Sequence, residues 1–428
     1  MKLLSKFLDY FSLLFCGGLA AVSLAYVVSR NVSASGATDF HSYWYAGHFI
    51  RQGLDPYTAF INEAYPRVPI TYLDGYTVNH LPVAQPGLAR VPANTAPIVI
   101  LLSAFSFFSW TTAKILWMTT NLMISLLTPL LVLRMFPGTW SLQLRYKILI
   151  VLLFISLFGT RNVLGNGQTS LLVFAAMLLA IQLEKEWVLG GIALGIALSK
   201  YSLALPAVVL LIIERRYRPA IVGIIIQILS LLALASMSNQ PPADIVRAYF
   251  KIAKLHIYQP GIHLAAIFPN ATIGWLMVLL LSAGVAIAVV CYAHKSNYHI
   301  ATSSTPLTRP VLFNILMIWT LLAAYHRAYD TFVVVIFLVL VAEVLIGGHR
   351  NLSVSQRWGL AIMAAWVLIV MMLPARGVER IGSMSATLIP VWLKYQSGAV
   401  TVSLLIILWA SVFILYHINE FGNGYASA

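Results

Sequence analysis

Twelve apolar runs separated by short polar breaks dominate the chain. They centre on residues 10–29, 95–109, 112–134, 146–160, 169–183, 187–213, 219–237, 271–293, 310–325, 331–348, 357–374 and 398–418. Most approach the roughly 18 to 20 residues a helix needs to cross a bilayer core, which predicts about twelve crossings. The alternating ten-residue pattern of a membrane barrel is absent, so helices must do the spanning. The first run follows Lys2 and Lys6 and resembles a secretory leader. It is too long for a leader's apolar core and lacks a convincing A-x-A site, so it reads as a retained first helix. The run "WVLGGIALGIALSKYSLALPAVVLLII" (187–213) fits one long helix or a short hairpin around Lys200 equally well. Gly191 and Gly195 in it make a G-x-x-x-G pair, which by default means close helix packing.

Charge between the runs orients them. Lys2 and Lys6, "ERRYRP" (214–219), "HKS" with Arg309, and "GGHRNLSVSQR" (347–357) fit short cytoplasmic loops, leaving 30–94, 238–270 and 375–397 outside. The chain then reads as one integral membrane domain over 1–428, with 30–94 as first and 238–270 as second outer loop. Both termini lie in the cytoplasm. Two stretches outside the spans are amphipathic. As a helix, 40–54 puts Phe40, Tyr43, Gly47, Ile50 and Leu54 on one face and His41, Tyr45, His48 and Gln52 on the other. Its aromatic side is expected in the acyl boundary. In "ADIVRAYFKIAKLHI" (243–257), Val246, Tyr249, Phe250, Ala253 and Ile257 form a stripe flanked by Arg247, Lys251 and Lys254.

Composition agrees: 60% of the 428 residues are hydrophobic and 9% charged, far below the soluble norm of about 25%. The net charge of +14 is scattered between apolar runs, so anionic headgroups suit it better than nucleic acid. Cys16 and Cys291 both sit in apolar runs, which argues against a disulfide framework or a cysteine metal site.

Acids are scarce. Of thirteen, seven fall at or beyond the outer surface: Asp39, Asp55, Glu63, Asp74, Asp244, Asp330 and Glu379. Asp39 or Thr38 could simply cap the helix that begins there. Asp55, between Gly53 and Pro56, reads as a turn residue. His41 and His48 lie seven residues apart, about 10.5 Å along a helix, too far to share one ion, so no metal site is expected. In "AAYHRAYDTF" (323–332), His326, Arg327 and Asp330 meet where one span ends and the next begins, either as an interfacial anchor or as a binding cluster. Lys200 within an apolar stretch costs about 2.5 to 3.5 kcal/mol on insertion scales and needs a partner or access to water. "RNVLGNGQTS" (161–170), with Asn166 and Gln168, is a polar loop or a ligand-contacting turn.

The stretch "TDFHSYWYAGHFIRQGLDPY" (38–57) resembles the D-x-x-x-Y-W-x-A…G-x-D-P-Y signature of glycosyltransferase family 87, in the polytopic GT-C superfamily. "NTAPIVILLSAF" followed by Ala113 and Trp117, "GNGQTSLLVFAAMLLA", "GGIALGIALSKYSLALP" and "AYHRAYD" continue the likeness from residue 37 to about 330. Two departures stand out: "TAP" replaces the family's Tyr-x-Pro-Pro while "HLP" (80–82) sits upstream, and Tyr201 follows the lysine.

The resemblance implies an all-α GT-C-type membrane enzyme with amphipathic interfacial helices in the first outer loop. It would move a hexose, mannose favoured, from a polyprenyl-phosphate sugar to a lipid or glycan acceptor, with inversion. Asp39 is the implied general base. Lys200, His326, Arg327, Gln168 and Asp330 are implied on the donor side, and Tyr43, His48 and His80 on the acceptor side. The donor is a lipid-linked sugar, no cofactor or metal is implied, and membrane lipids are the other partners. The expected location is the cytoplasmic (inner) membrane, with the site facing outward. A polytopic transporter or lipid-linked oligosaccharide flippase is the alternative, although such proteins tend to place polar residues near the middle of several spans.

Overall fold

The computed structural model describes residues 2–32, 37–61, 70–71, 77–78, 94–183, 185–257, 262–268, 270–295, 307–324, 326–346, 352–372 and 389–422. His80, Glu63, Asp74 and Glu379 lie outside the described residues.

The helices follow the apolar runs. They are α1 (Lys2–Val32), α2 (Thr38–Arg51), α3 (Pro56–Ile61), α4 (Ala96–Ser103, extended by a 3-10 turn to Phe107), α5 (Trp110–Arg134), α6 (Pro137–Trp140), α7 (Leu144–Ser156), α8 (Phe158–Asn166) and α9 (Ser170–Gln182). There follow α10 (Trp187–Ala197), α11 (Tyr201–Ile213), α12 (Tyr217–Ser238), α13 (Pro242–Ile257), α14 (Ala271–Lys295), α15 (Thr308–Ala323), α16 (Val335–Ile346), α17 (Val354–Met372) and α18 (Ile389–Gly422). The only pairing of strands among the described residues is a two-residue antiparallel one, Ile70↔Val78 and Thr71↔Thr77. The protein is an all-α polytopic membrane protein.

Among the described residues, eight helical stretches are long and apolar enough to cross a membrane, with 187–213 counted as one of them, or nine if the α7–α8 pair, bent by 64°, forms one span. Three apolar runs make shorter helices: Ala96–Phe107, Ser170–Gln182 and Thr308–Ala323. At 1.5 Å per residue the 13 residues of α9 reach only about 20 Å of a core about 30 Å thick. With these three, all twelve apolar runs are helical, three of them shorter than a full crossing.

The stretch 187–213 has the length and hydropathy of one span, but it is a hairpin. A straight helix would put residue 213 about 33 Å from Gly191. Yet a Cβ on Gly191 would lie 3.0 Å from the carbonyl of Pro219, only six residues after Ile213. The chain reverses at the 3-10 turn 198–200, where Lys200 leaves helical geometry at φ −119°, ψ 73°. The G-x-x-x-G pair is the packing surface: a Cβ on Gly191 would stand 2.4 Å from that of Val222, and one on Gly195 2.6 Å from that of Ile226.

One end of the bundle is stapled by charge. Arg216 donates to the Ile181 and Leu183 carbonyls (2.9 and 3.2 Å), and Arg309 bonds Glu214 at 2.7 Å and the Ile181 carbonyl at 2.7 Å. Nearby elements at that end include Glu343, whose buried carboxylate accepts from the amides of Gly138 (2.7 Å) and Thr139 at the start of α6. At the other end, loops are stitched by backbone bonds from Ala37 to Gly165 (3.1 Å), Thr95 to Ser199 (3.0 Å) and Ile262 to His326 (2.9 Å). The short helices α9, α10 and α11 carry polar groups from within the bundle to this second end.

The amphipathic helices are present, with different neighbours from those expected. Phe40, Tyr43, Gly47 and Ile50 of α2 are buried in protein, not in acyl chains. A Cβ on Gly47 would come within 2.5 Å of the Ser103 carbonyl, so α4 covers that face. On α13 the buried stripe is Ile245, Ala248, Tyr249 and Ile252, while Phe250 is exposed.

Candidate active site

Asp39 is the second residue of α2, and it is not the cap. The cap position is Ala37, in the left-handed region at φ 56°, ψ 34°, with no side-chain bond to the helix. The Asp39 carboxylate instead accepts a hydrogen bond from the Gln168 amide, 129 residues away. Asp55, by contrast, does what its turn setting suggested. Its carboxylate takes the amides of Tyr57 (3.2 Å) and Thr58 (2.8 Å), capping α3 behind Pro56.

The Gly165–Gln168 turn aims Gln168 at Asp39. Gly167 sits at φ +66°, and a Cβ there would stand 2.8 Å from that of Phe40. Both the conformation and the close approach call for glycine. Trp117 Nε1 donates to the Gly167 carbonyl (2.8 Å) and Asn121 Nδ2 to the Gln168 carbonyl (2.9 Å), so α5 clamps the turn. Phe40 stacks on Trp117 at 5.3 Å and meets Phe105 edge-on at 5.4 Å, fixing the first turn of α2.

Burial pushes the Asp39 carboxyl up to about 6, against the opposing pull of Arg327, the Gln168 hydrogen bond, Arg30 and Lys200. The side chain keeps partial exposure. A carboxylate that is largely desolvated, hydrogen-bonded and under the pull of three cations has the character of a base near neutral pH. One turn along, buried Tyr43 is hydrogen-bonded to Thr169, and burial raises its hydroxyl well above the ordinary tyrosine value.

The second cluster is tied to the first. Lys200 Nζ lies 2.6 Å from Asp330 and 2.8 Å from the Ser170 hydroxyl, over the ring of Tyr329 at 5.1 Å. Asp330 is buried and its other oxygen meets His326 Nδ1 at 3.0 Å. Lys200 thus finds the partner its apolar setting demanded. His326 is buried too, and its Nε2 has no hydrogen-bond partner. Ser170 begins α9, two residues after Gln168, so one helix start serves both clusters.

The structure therefore brings together Asp39, Tyr43, Gln168, Lys200, His326, Arg327 and Asp330. His48 is not among them. It lies on the opposite face of α2, 3.1 Å from Arg51 and against Trp44. The polar face of α2 points away from Asp39. Arg30, Asn94 and Thr169 belong to the site without having been expected there. Arg30 acts on Asp39 from the end of α1, and Asn94 donates to Thr169 (2.9 Å). An arginine closing the first apolar run was the one visible signal. Among the described residues no three His, Cys, Asp or Glu side chains form a group that could hold a metal ion.

A family model for glycosyltransferase family 87 matches residues 95–308. That segment contains Gln168 and Lys200; Asp39 precedes it and the His326–Asp330 cluster follows it. No curated protein and no solved structure matches the chain.

Proposed function

The chain belongs to glycosyltransferase family 87, and from that membership we propose how this membrane glycosyltransferase works. It transfers a hexose, mannose favoured, from a polyprenyl-phosphate sugar to a lipid or glycan acceptor, with inversion. The observation that carries the reading is Asp39: a single partly exposed carboxylate, raised to about 6 and surrounded by Arg327, Arg30 and Lys200.

In the reaction an acceptor hydroxyl attacks the anomeric carbon and gives its proton to Asp39. The new C–O bond forms as the bond from that carbon to the phosphate oxygen breaks, and the departing polyprenyl phosphate keeps the electron pair. Its growing charge is met by Arg327 and Lys200, with His326 offering Nε2. Asp330 holds Lys200 and His326 in place; as a carboxylate it does not itself face phosphate. Gln168 fixes the Asp39 carboxylate so that its free oxygen meets the acceptor. Moving each CH₂ of a polyprenyl chain out of lipid costs about 0.8 kcal/mol, so an active site at one end of a membrane bundle suits a donor that stays in the bilayer.

The site end is assigned to the outer face of the cytoplasmic membrane. The arginines at the opposite end (Arg215, Arg216, Arg218 and Arg309) support this through the positive-inside rule. The test is incubation of purified protein with several polyprenyl-phosphate hexoses and measurement of released polyprenyl phosphate. Release dependent on an added acceptor is expected with at least one; no release with any would reject the donor class.

A further inference from the structure

The short helix α8 packs against different partners on its two faces. One face meets the turn that carries Tyr329 and Asp330: a Cβ on Gly159 would stand 2.7 Å from the Phe332 amide nitrogen and 2.8 Å from the Tyr329 carbonyl. The other face receives Arg30 from the end of α1, whose Cδ would lie 3.0 Å from a Cβ on Gly165. Arg161 precedes Gly165 by four residues, so it projects from this second face, about 200° around the helix from Gly159. The body of α8 therefore stands between Arg161 and the Lys200 cluster.

The two arginines flank one tyrosine. Arg30 Nη1 donates to Tyr26 Oη at 3.5 Å, and Tyr26 is also close enough to Arg161 to interact with it electrostatically. Arg161 Nη2 donates to the Met372 carbonyl at the end of α17 (2.9 Å), and no acid among the described residues pairs with it. Its Nε is enclosed, but the side chain keeps partial exposure, which leaves Nη1 to meet a ligand. A cation among apolar helices needs an anion or water, and a second cation beside it sharpens that need. The usual charge bias of membrane proteins does not account for this pair. Both arginines sit at the site end, whereas Arg215, Arg216, Arg218 and Arg309 gather at the other.

The flanking helices are bare: Val28 and Val32 of α1 are 60% and 80% exposed, and Ile369 of α17 is 56% exposed. Such surfaces on membrane helices face hydrocarbon, and the anionic groups at the boundary of hydrocarbon and water are lipid phosphates. A guanidinium grips phosphate through two parallel hydrogen bonds. We propose that Arg30 and Arg161 form a second phosphate seat, separate from the Lys200 cluster, for a lipid phosphate ester that reaches it from the bilayer beside α1 and α17. The seat stands whether or not Asp39 is the base. Two lipids offer this chemistry. One is an anionic phospholipid that ties α1 to α8; the other is the polyprenyl phosphate carrier, held beside the site on its way in or out.

The test is native mass spectrometry of the full-length, delipidated protein titrated with phosphatidylglycerol, with polyprenyl phosphate, or with diacylglycerol as a lipid lacking phosphate. Wild type is expected to hold one more equivalent of phosphatidylglycerol or of polyprenyl phosphate than Arg161→Gln does, with affinity for that equivalent lowered at least tenfold in the variant. Arg30→Gln should show the same loss, and decides the matter if Arg161→Gln does not elute as a single species. Arg161→Lys, which keeps the charge but not the paired hydrogen bonds, should fall between wild type and Arg161→Gln. Loss of a phosphatidylglycerol equivalent identifies the phospholipid as occupant; loss confined to polyprenyl phosphate identifies the carrier. Wild-type stoichiometry and affinity for both lipids in both glutamine variants would overturn the seat. So would an equal loss of diacylglycerol, which would mean that the variants had only loosened the packing of α8.

Discussion

Removing one partner of the Lys200–Asp330 pair is expected to damage the fold more than removing both. The two atoms are 2.6 Å apart, with side-chain exposures of 17% and 2%. At an effective dielectric constant of about 20, the attraction at that separation is about 6 kcal/mol. Desolvating each ion costs several kcal/mol, so the intact pair contributes little net stability. A single variant is another matter, because it leaves one ion without its counter-charge. Asp330→Asn strands Lys200, with Ser170 and the Tyr329 ring as its remaining contacts, while Lys200→Met leaves Asp330 with His326 alone. Each should lose about 3 to 5 kcal/mol. The double variant should lose less than either single variant, and therefore less than their sum by about 3 kcal/mol or more. Reversible unfolding in mixed micelles of dodecylmaltoside and SDS, followed by circular dichroism, supplies all four free energies. Losses that add to within about 0.5 kcal/mol would refute the pairing.

Asp39 gives a pH signature. With its carboxyl at about 6, kcat should rise tenfold per pH unit below that value and level off above it. Because its folded value is raised, its ionisation weakens the fold as pH climbs from about 4 to about 6; Asp39→Asn should therefore melt higher than wild type at pH 8, and the gap should narrow at pH 5 and close below about pH 4. Gly167→Ala meets both a positive φ and the Phe40 Cβ at 2.8 Å, and should lower stability by about 2 to 4 kcal/mol and displace α2 from Gln168, read as lost transfer by the fraction that remains folded. For sidedness, Asp244→Cys should react with an impermeant thiol reagent added outside intact cells and Arg215→Cys should not, in a background lacking Cys16 and Cys291; the reverse pattern would invert the orientation.

Much of this was legible because membrane burial leaves a strong signature. Every apolar run became a helix, and the lone Lys200 announced a partner since a bare cation there is unfavourable. Whether 187–213 was a span or a hairpin was not legible, because both place apolar residues in the same order. The reversal is decided by Val222 and Ile226 packing on Gly191 and Gly195, contacts made by a different helix. The face of α2 was misjudged for a related reason: periodicity shows that Phe40 and Tyr43 share a face, but not whether lipid or α4 covers it. Asp39 as a cap and Asp39 as a cavity acid also look alike in sequence. They part only when Ala37 takes the cap position and Gln168 reaches across from another turn. Membership in a glycosyltransferase family disposes of the transporter alternative.

The central claim is that Asp39 removes the acceptor's proton, and the most direct test is the turnover of Asp39→Asn on a polyprenyl-phosphate hexose. Asparagine keeps the size of the side chain, can still hydrogen-bond Gln168 after an amide flip, and serves a helix start as well as aspartate does. Loss of a general base should therefore lower kcat by about 10² to 10⁴ while binding of the lipid donor stays near normal. An Asp39→Asn protein that turns over at the wild-type rate would contradict the account.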